Sequence, residues 1–149
     1  MPCFGRMTTE QLEKFVRNGL GILQQVAAGD GIVSVDLDVR FGKDAAKRGH
    51  GAFVYSDEGG YHYVSLGDRG AIGRHTITED AFELAYWVFS GLATLMSAEY
   101  AGREPRRSFR RTMLEKKLEI LQSVGENYRR RGEIDLDELL KICPYEDDK

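Results

Sequence analysis

Residues 52–66 read AFVYSDEGGYHYVSL. Two runs rich in β-branched and aromatic residues, Ala52–Ser56 and Tyr61–Leu66, flank Asp57-Glu58-Gly59-Gly60, whose composition turns the chain back on itself. This segment predicts an antiparallel hairpin. Gly67-Asp68-Arg69-Gly70 marks a second turn, and Arg74 to Ile77 supplies a further short strand. Upstream, Ile32, Val33, Val35, Leu37 and Val39 are separated by Ser34, Asp36, Asp38 and Arg40, an alternation that predicts a strand with one buried and one acidic face. FGKDAAKRGHG, residues 41–51, reads as a loop.

Outside this β-rich centre the period changes to that of helices. Thr8 and Gln11 have the spacing of a capping box, in which each side chain satisfies a backbone N–H left over at a helix start. Leu12, Phe15, Val16, Leu20, Leu23, Val26 and Ala27 then recur at helical intervals, up to Gly29-Asp30-Gly31. Thr78, Glu79 and Asp80 open a second helix that Gly102 ends; its most apolar stretch, AFELAYWVFSGLATLMSA over residues 81–98, is apolar on nearly every side and therefore central, with Trp87 expected to be mostly buried. Its apolar run falls short of the ~20 residues that span a bilayer and carries Glu83. After Pro105 a third helix shows Leu114, Leu118, Leu121, Val124 and Tyr128 on one face, with Gly132 as its expected end. Asp135 and Glu138 then cap a short helix bearing Leu136, Leu139 and Leu140, stopped by Pro144. The order is α+β: an N-terminal helix, a small antiparallel sheet of three or four strands, then three helices including a buried central one.

The 149 residues fit one domain, residues 1–149, large enough to bury a core without metal or disulfide. Cys3 and Cys143 stand near opposite ends with no zinc spacing, and the first ten residues lack the apolar core of an export signal, so a reducing cytoplasm is the expected setting. No P-loop, GxSxG or GxGxxG is present, and His50, His62 and His75 match no helical metal motif. No cofactor, metal or catalytic set is expected. Trp87, Tyr86 and Phe89 read as core aromatics.

Charge is segregated. Residues 103–131 hold 10 basic and 4 acidic groups, whereas residues 132–149 hold 2 basic and 7 acidic ones. Arg103, Arg106, Arg107, Arg110 and Arg111 gather at the start of the third helix, and Arg129, Arg130 and Arg131 near its end. Such a patch suits phosphates, which gives one alternative reading, a nucleic-acid-binding regulator. Helix-end and internal ion pairing explain the same residues without a partner.

YHYVSLGDRG, then ELAYWVFSGLATLMSAEYAGR, then FRRTMLEKKLEIL resembles the bacterial family called immunity protein sixty-three, of polymorphic toxin and contact-dependent growth inhibition systems. The shared features are Asp68-Arg69-Gly70 after an aromatic strand, Tyr86-Trp87-Val88-Phe89 in a helix, and Arg110-Arg111 ahead of Leu114 and Leu118. Asp68 departs from the Glu expected there, and no Asp precedes Arg110. The resemblance implies a cytoplasmic non-enzyme that neutralises the C-terminal domain of one cognate toxin by binding it, with no membrane or nucleic acid involved. Many such toxins are nucleases with basic clefts, so acidic groups are the expected contacts: Asp36, Asp38, Glu133, Asp135, Asp137, Glu138, Glu146, Asp147 and Asp148. Arg69 is expected to be partly buried in its turn, as a structural residue.

Overall fold

The computed structural model describes residues 6–33, 37, 39–42, 51–66, 72–103 and 108–145. The elements follow the order α1 (Thr9–Gly29), β1 (Arg40–Phe41), β2 (Gly51–Asp57), β3 (Gly60–Leu66), β4 (Ile72–Thr78), α2 (Ala81–Gly102), α3 (Phe109–Val124) and α4 (Glu126–Ile142). This is the expected α+β arrangement. The four strands form one sheet in chain order; β2, β3 and β4 are antiparallel, and β1 joins β2 in parallel, which makes the sheet mixed.

Two compact units divide the chain. One comprises residues 1–18 and 38–88 and holds the sheet; the other comprises residues 19–37 and 89–149 and is helical. α1 and α2 each contribute residues to both.

In the sheet unit the hairpin closes where the sequence places it, with Asp57 paired to Gly60. Gly60 has φ of 135°, and a Cβ there would stand 2.8 Å from the Thr78 carbonyl oxygen, so the turn requires glycine. The capping box is formed in both directions: Thr8 N–H donates to Gln11 Oε1 at 2.9 Å and Gln11 N–H to Thr8 Oγ1 at 3.2 Å. The start of α1 is tied to the hairpin. Ser56 Oγ donates to the Met7 carbonyl at 2.6 Å, Ser56 N–H to Thr9 Oγ1 at 3.1 Å, and Met7 N–H to the Tyr61 hydroxyl at 2.7 Å. Asp80 caps α2 by accepting from Phe82 N–H at 3.0 Å.

α2 spans 22 residues and ends at Gly102, as expected, but by length and composition it is long and apolar enough to cross a membrane, against the expectation that its apolar run falls short. It buries Leu84, Ala85, Tyr86, Val88, Phe89, Leu92, Ala93, Met96, Ser97 and Ala101, as a core helix does. Trp87 is more than half buried, in keeping with its expected place in the core, and Arg74 lies over its ring, 5.7 Å from the centroid.

In the helical unit the Phe89 ring occupies the space a side chain at Gly19 would need, and meets Tyr128 edge-on at a centroid distance of 5.1 Å. Ser108 caps α3 through Arg111 N–H. The break expected at Gly132 falls instead at Gly125, and α4 runs unbroken through a buried Gly132. Gly125 is extended, with φ of 171° and ψ of 149°, and its N–H closes α3 on the Leu121 carbonyl; a Cβ there would stand 2.7 Å from Asn127 Oδ1 and 3.2 Å from the Tyr128 ring. Of the strand expected over Ile32–Arg40, only Arg40 is in a strand among the described residues, paired with Phe53. Ser34, Val35, Asp36 and Asp38 lie outside them, as do the Gly67–Gly70 turn with Arg69, Cys3 and His50.

Candidate functional site

Four of the acidic candidates, Glu133, Asp135, Asp137 and Glu138, sit on α4. The helical period places them around a surface that faces water along most of its length, since only Tyr128 and Gly132 of this helix are buried. Their roles differ. Asp135 accepts from Arg131 at 2.5 Å and is half-buried. Glu133 stands 3.9 Å from Arg129, an exposed pair of small energetic weight. Asp137 and Glu138 are exposed and have no partner among the described residues. Ile134, 55% exposed, stands between these acids, and Ile142, 85% exposed, follows at the last residue of the helix, eight residues on and toward the same side. α4 therefore presents two bare isoleucines beside carboxylates. Asp36, Asp38, Glu146, Asp147 and Asp148 lie outside the described residues.

The arginines have work within the chain. Arg110 donates to the Cys143 and Pro144 carbonyls at 2.5 and 3.1 Å, closing the C-terminal end of α4, and with Arg111 it covers the Tyr145 ring. Arg103 pairs with Glu99 at 2.8 Å, Arg130 with Glu126 at 2.8 Å and Arg131 with Asp135. Arg106 and Arg107 lie outside the described residues. A cation already paired has less attraction to offer a phosphate, so the described part of the Arg cluster is weak ground for a nucleic-acid interface.

Two groups have displaced proton affinities. Burial pushes the Lys117 ammonium below the usual lysine range, with the Asp135 carboxylate pulling it partly back. Burial pushes the Tyr63 phenol up, against a smaller opposing effect of Arg74.

A third constellation was invisible to residue-by-residue reading. On β3, His62 is 7% exposed and uses both ring nitrogens: Nε2 is 2.7 Å from Asp57 Oδ1, and Nδ1 is 2.9 Å from Nε2 of His75 on β4. Asp57 Oδ1 also accepts from Gly59 N–H at 2.8 Å, and the Tyr55 ring stacks on His62 at 4.2 Å. The signal that finds this set is the combination of strand period and register. Asp57 pairs with Gly60, two residues from His62, and His75 pairs with Val64, also two residues from His62, so all three side chains share one face. Spacing along the chain alone, which matches no helical metal motif, does not bring these residues together. Among the described residues no group of three or more His, Cys, Asp or Glu is arranged to hold a metal ion.

Comparison with known proteins gives one family match: the model described as Immunity protein 63 matches residues 57–138, more than half of the chain. The matched segment runs from the hairpin turn through β3, β4, α2 and α3 into α4. No curated protein and no solved structure matches.

Proposed function

We propose, since the chain belongs to the Immunity protein 63 family, that it neutralises a toxin as a stoichiometric binder without chemistry of its own, and that the toxin is the C-terminal nuclease domain of a contact-dependent inhibition or related polymorphic toxin system, met in the cytoplasm. The observation that carries the nuclease reading is α4. Its exposed acids Glu133, Asp137 and Glu138 flank exposed Ile134, and exposed Ile142 follows one turn beyond Glu138. A nuclease cleft built for phosphates is basic, so carboxylates speed the encounter while apolar side chains at the centre of the contact supply affinity. The paired arginines of α3 and α4 favour this reading over nucleic-acid binding.

The test is co-expression with the toxin domain encoded beside its gene. Wild type protects cells. Asp137→Lys with Glu138→Lys is the informative charge reversal, because neither residue has a partner to lose among the described residues, whereas reversing Asp135 would also break its pair with Arg131. The double variant retains its melting temperature, associates more slowly with the toxin, and loses that handicap as salt rises. An unchanged association rate removes α4 from the interface; loss of protection on changing Arg110 alone, in a folded variant, moves the site to the Arg face.

A further inference from the structure

The hydrogen-bond chain Asp57–His62–His75 has a direction, and the direction follows from its buried end. Asp57 Oδ1 already accepts the Gly59 amide at 2.8 Å, so it meets His62 Nε2 as an acceptor, and that nitrogen carries the hydrogen. A neutral imidazole has one N–H, so His62 Nδ1 is bare and accepts. It can accept only from His75 Nε2–H, 2.9 Å away. His75, an exposed residue, is thereby left with a bare Nδ1, which has no partner among the described residues. Three side chains from three strands thus fix the tautomer of the outermost one.

We infer that this relay makes His75 Nδ1 a preset acceptor site on exposed His75 of the edge strand β4, fitted to a cationic N–H donor, a lysine or arginine side chain of the bound toxin. The partner assignment rests on the immunity reading; the tautomer does not. The setting favours a cation. The carboxylate of Asp57 ends the relay, and exposed Glu58, Glu79 and Asp80 lie at the same end of the sheet, with Arg6 as the neighbouring cation. Arg6 is occupied: it donates to the Asp57 and Glu58 carbonyls at 3.1 and 2.7 Å and to Glu79 at 3.0 Å. Of the other groups around His75, Tyr55 belongs to the same face. Arg74 and Tyr63 point to the opposite one, where Arg74 lies 5.9 Å from the Tyr63 ring centroid. Ile77, 51% exposed and on the His75 face, provides an apolar border.

The experiment has two arms. Two-bond 15N–1H correlation spectra of the uniformly labelled full chain at pH 7.5 report the tautomers directly. The expected result is hydrogen on Nε2 of both histidines, and loss of the single His75 tautomer in His62→Phe, which keeps an aromatic ring against Tyr55 but removes the acceptor that His75 Nε2–H needs. Hydrogen on His75 Nδ1 in the wild type, or an unmoved His75 tautomer in the folded variant, overturns the relay. Should the variant fail to fold, the wild-type spectrum alone decides. In the second arm, the toxin domain encoded beside the gene is titrated into wild type and His75→Phe at pH 7.5. About tenfold weaker binding by the variant is expected for a lost bond to a charged donor, and equal binding overturns the docking role. A toxin that binds neither chain overturns the immunity reading instead, and leaves the tautomer result, read from the chain alone, to decide the relay.

Discussion

The sheet unit and helix α4 use polar side chains in opposite ways. In the sheet unit they join segments far apart in sequence: Arg6 to the hairpin turn and Glu79, Ser56 to Met7 and Thr9, Asp57 through His62 to His75. These bonds hold the start of α1 and three strands in register. On α4 they are local, one turn apart: Arg130 with Glu126, Arg129 with Glu133, Arg131 with Asp135. Pairs of that kind add only a few tenths of a kcal/mol each. A surface held by such pairs can change without unfolding the domain, which is what a protein matched to one toxin needs. The relay departs from the sheet unit's pattern, because its last member is exposed.

The largest effect expected from this contrast lies in the helical unit's core, where apolar packing rather than polar bonding supplies the stability. Phe89 is 1% exposed, rests where Gly19 lacks a side chain, and meets Tyr128 edge-on. Phe89→Ala costs about 3–5 kcal/mol in urea unfolding. Trp87→Ala costs less despite the larger ring, because Trp87, under Arg74, is less completely buried. A Trp87 variant as damaged as the Phe89 variant breaks this ordering.

That ordering also marks where the sequence was readable. The hairpin, the capping box and the start of α2 at Asp80 depend on residues within a few positions of one another, and all were legible. Trp87 could be placed in the core, but a helix apolar all round does not reveal which edge an arginine from a strand will cover. The break at Gly125 was missed in favour of Gly132 for a similar reason: both are glycines at plausible ends, and only the folded backbone, extended at Gly125 and helical at Gly132, distinguishes them. The acids on α4 could be named from charge alone, yet the pairing of Asp135 and the exposure of Ile134 and Ile142 needed the helix in place. The relay required the register of three strands at once, which no local pattern encodes.

A smaller loss tests the long-range polar bonds of the sheet unit. The Tyr61 ring is 2% exposed and its hydroxyl accepts from Met7 N–H at 2.7 Å. Tyr61→Phe keeps the ring and strands that amide, at a cost of about 1–2 kcal/mol. Amide exchange should quicken at Met7 and the first turn of α1 while the amides of α3 and α4 keep their protection. Uniform acceleration in both units would mean that the bond supports global stability rather than the local attachment of α1.

The smallest effect separates the two units by sign. Below its lowered folded-state value Lys117 is protonated in both states, and burial of that charge costs the fold stability. Between that value and the ordinary lysine range, about 10.4, the unfolded chain holds the proton and the folded one does not. Stability therefore rises with pH across this window. Tyr63 acts the other way. Its raised folded-state value means that above the ordinary tyrosine range, near 10, the unfolded phenol ionises while the folded one keeps its proton, so stability falls as pH climbs through the folded value. Urea midpoints measured from pH 8 to 11 should show the helical unit's rise giving way to the sheet unit's fall. Lys117→Met removes the rise and leaves the fall; Tyr63→Phe removes its share of the fall and leaves the rise. Subtracting each variant's profile from that of wild type cancels the other lysines and tyrosines, which titrate in all three chains. A Lys117→Met profile parallel to wild type would show the ammonium to be solvated in the folded state, and the charge at that position to be as loosely held as the exposed pairs of α4.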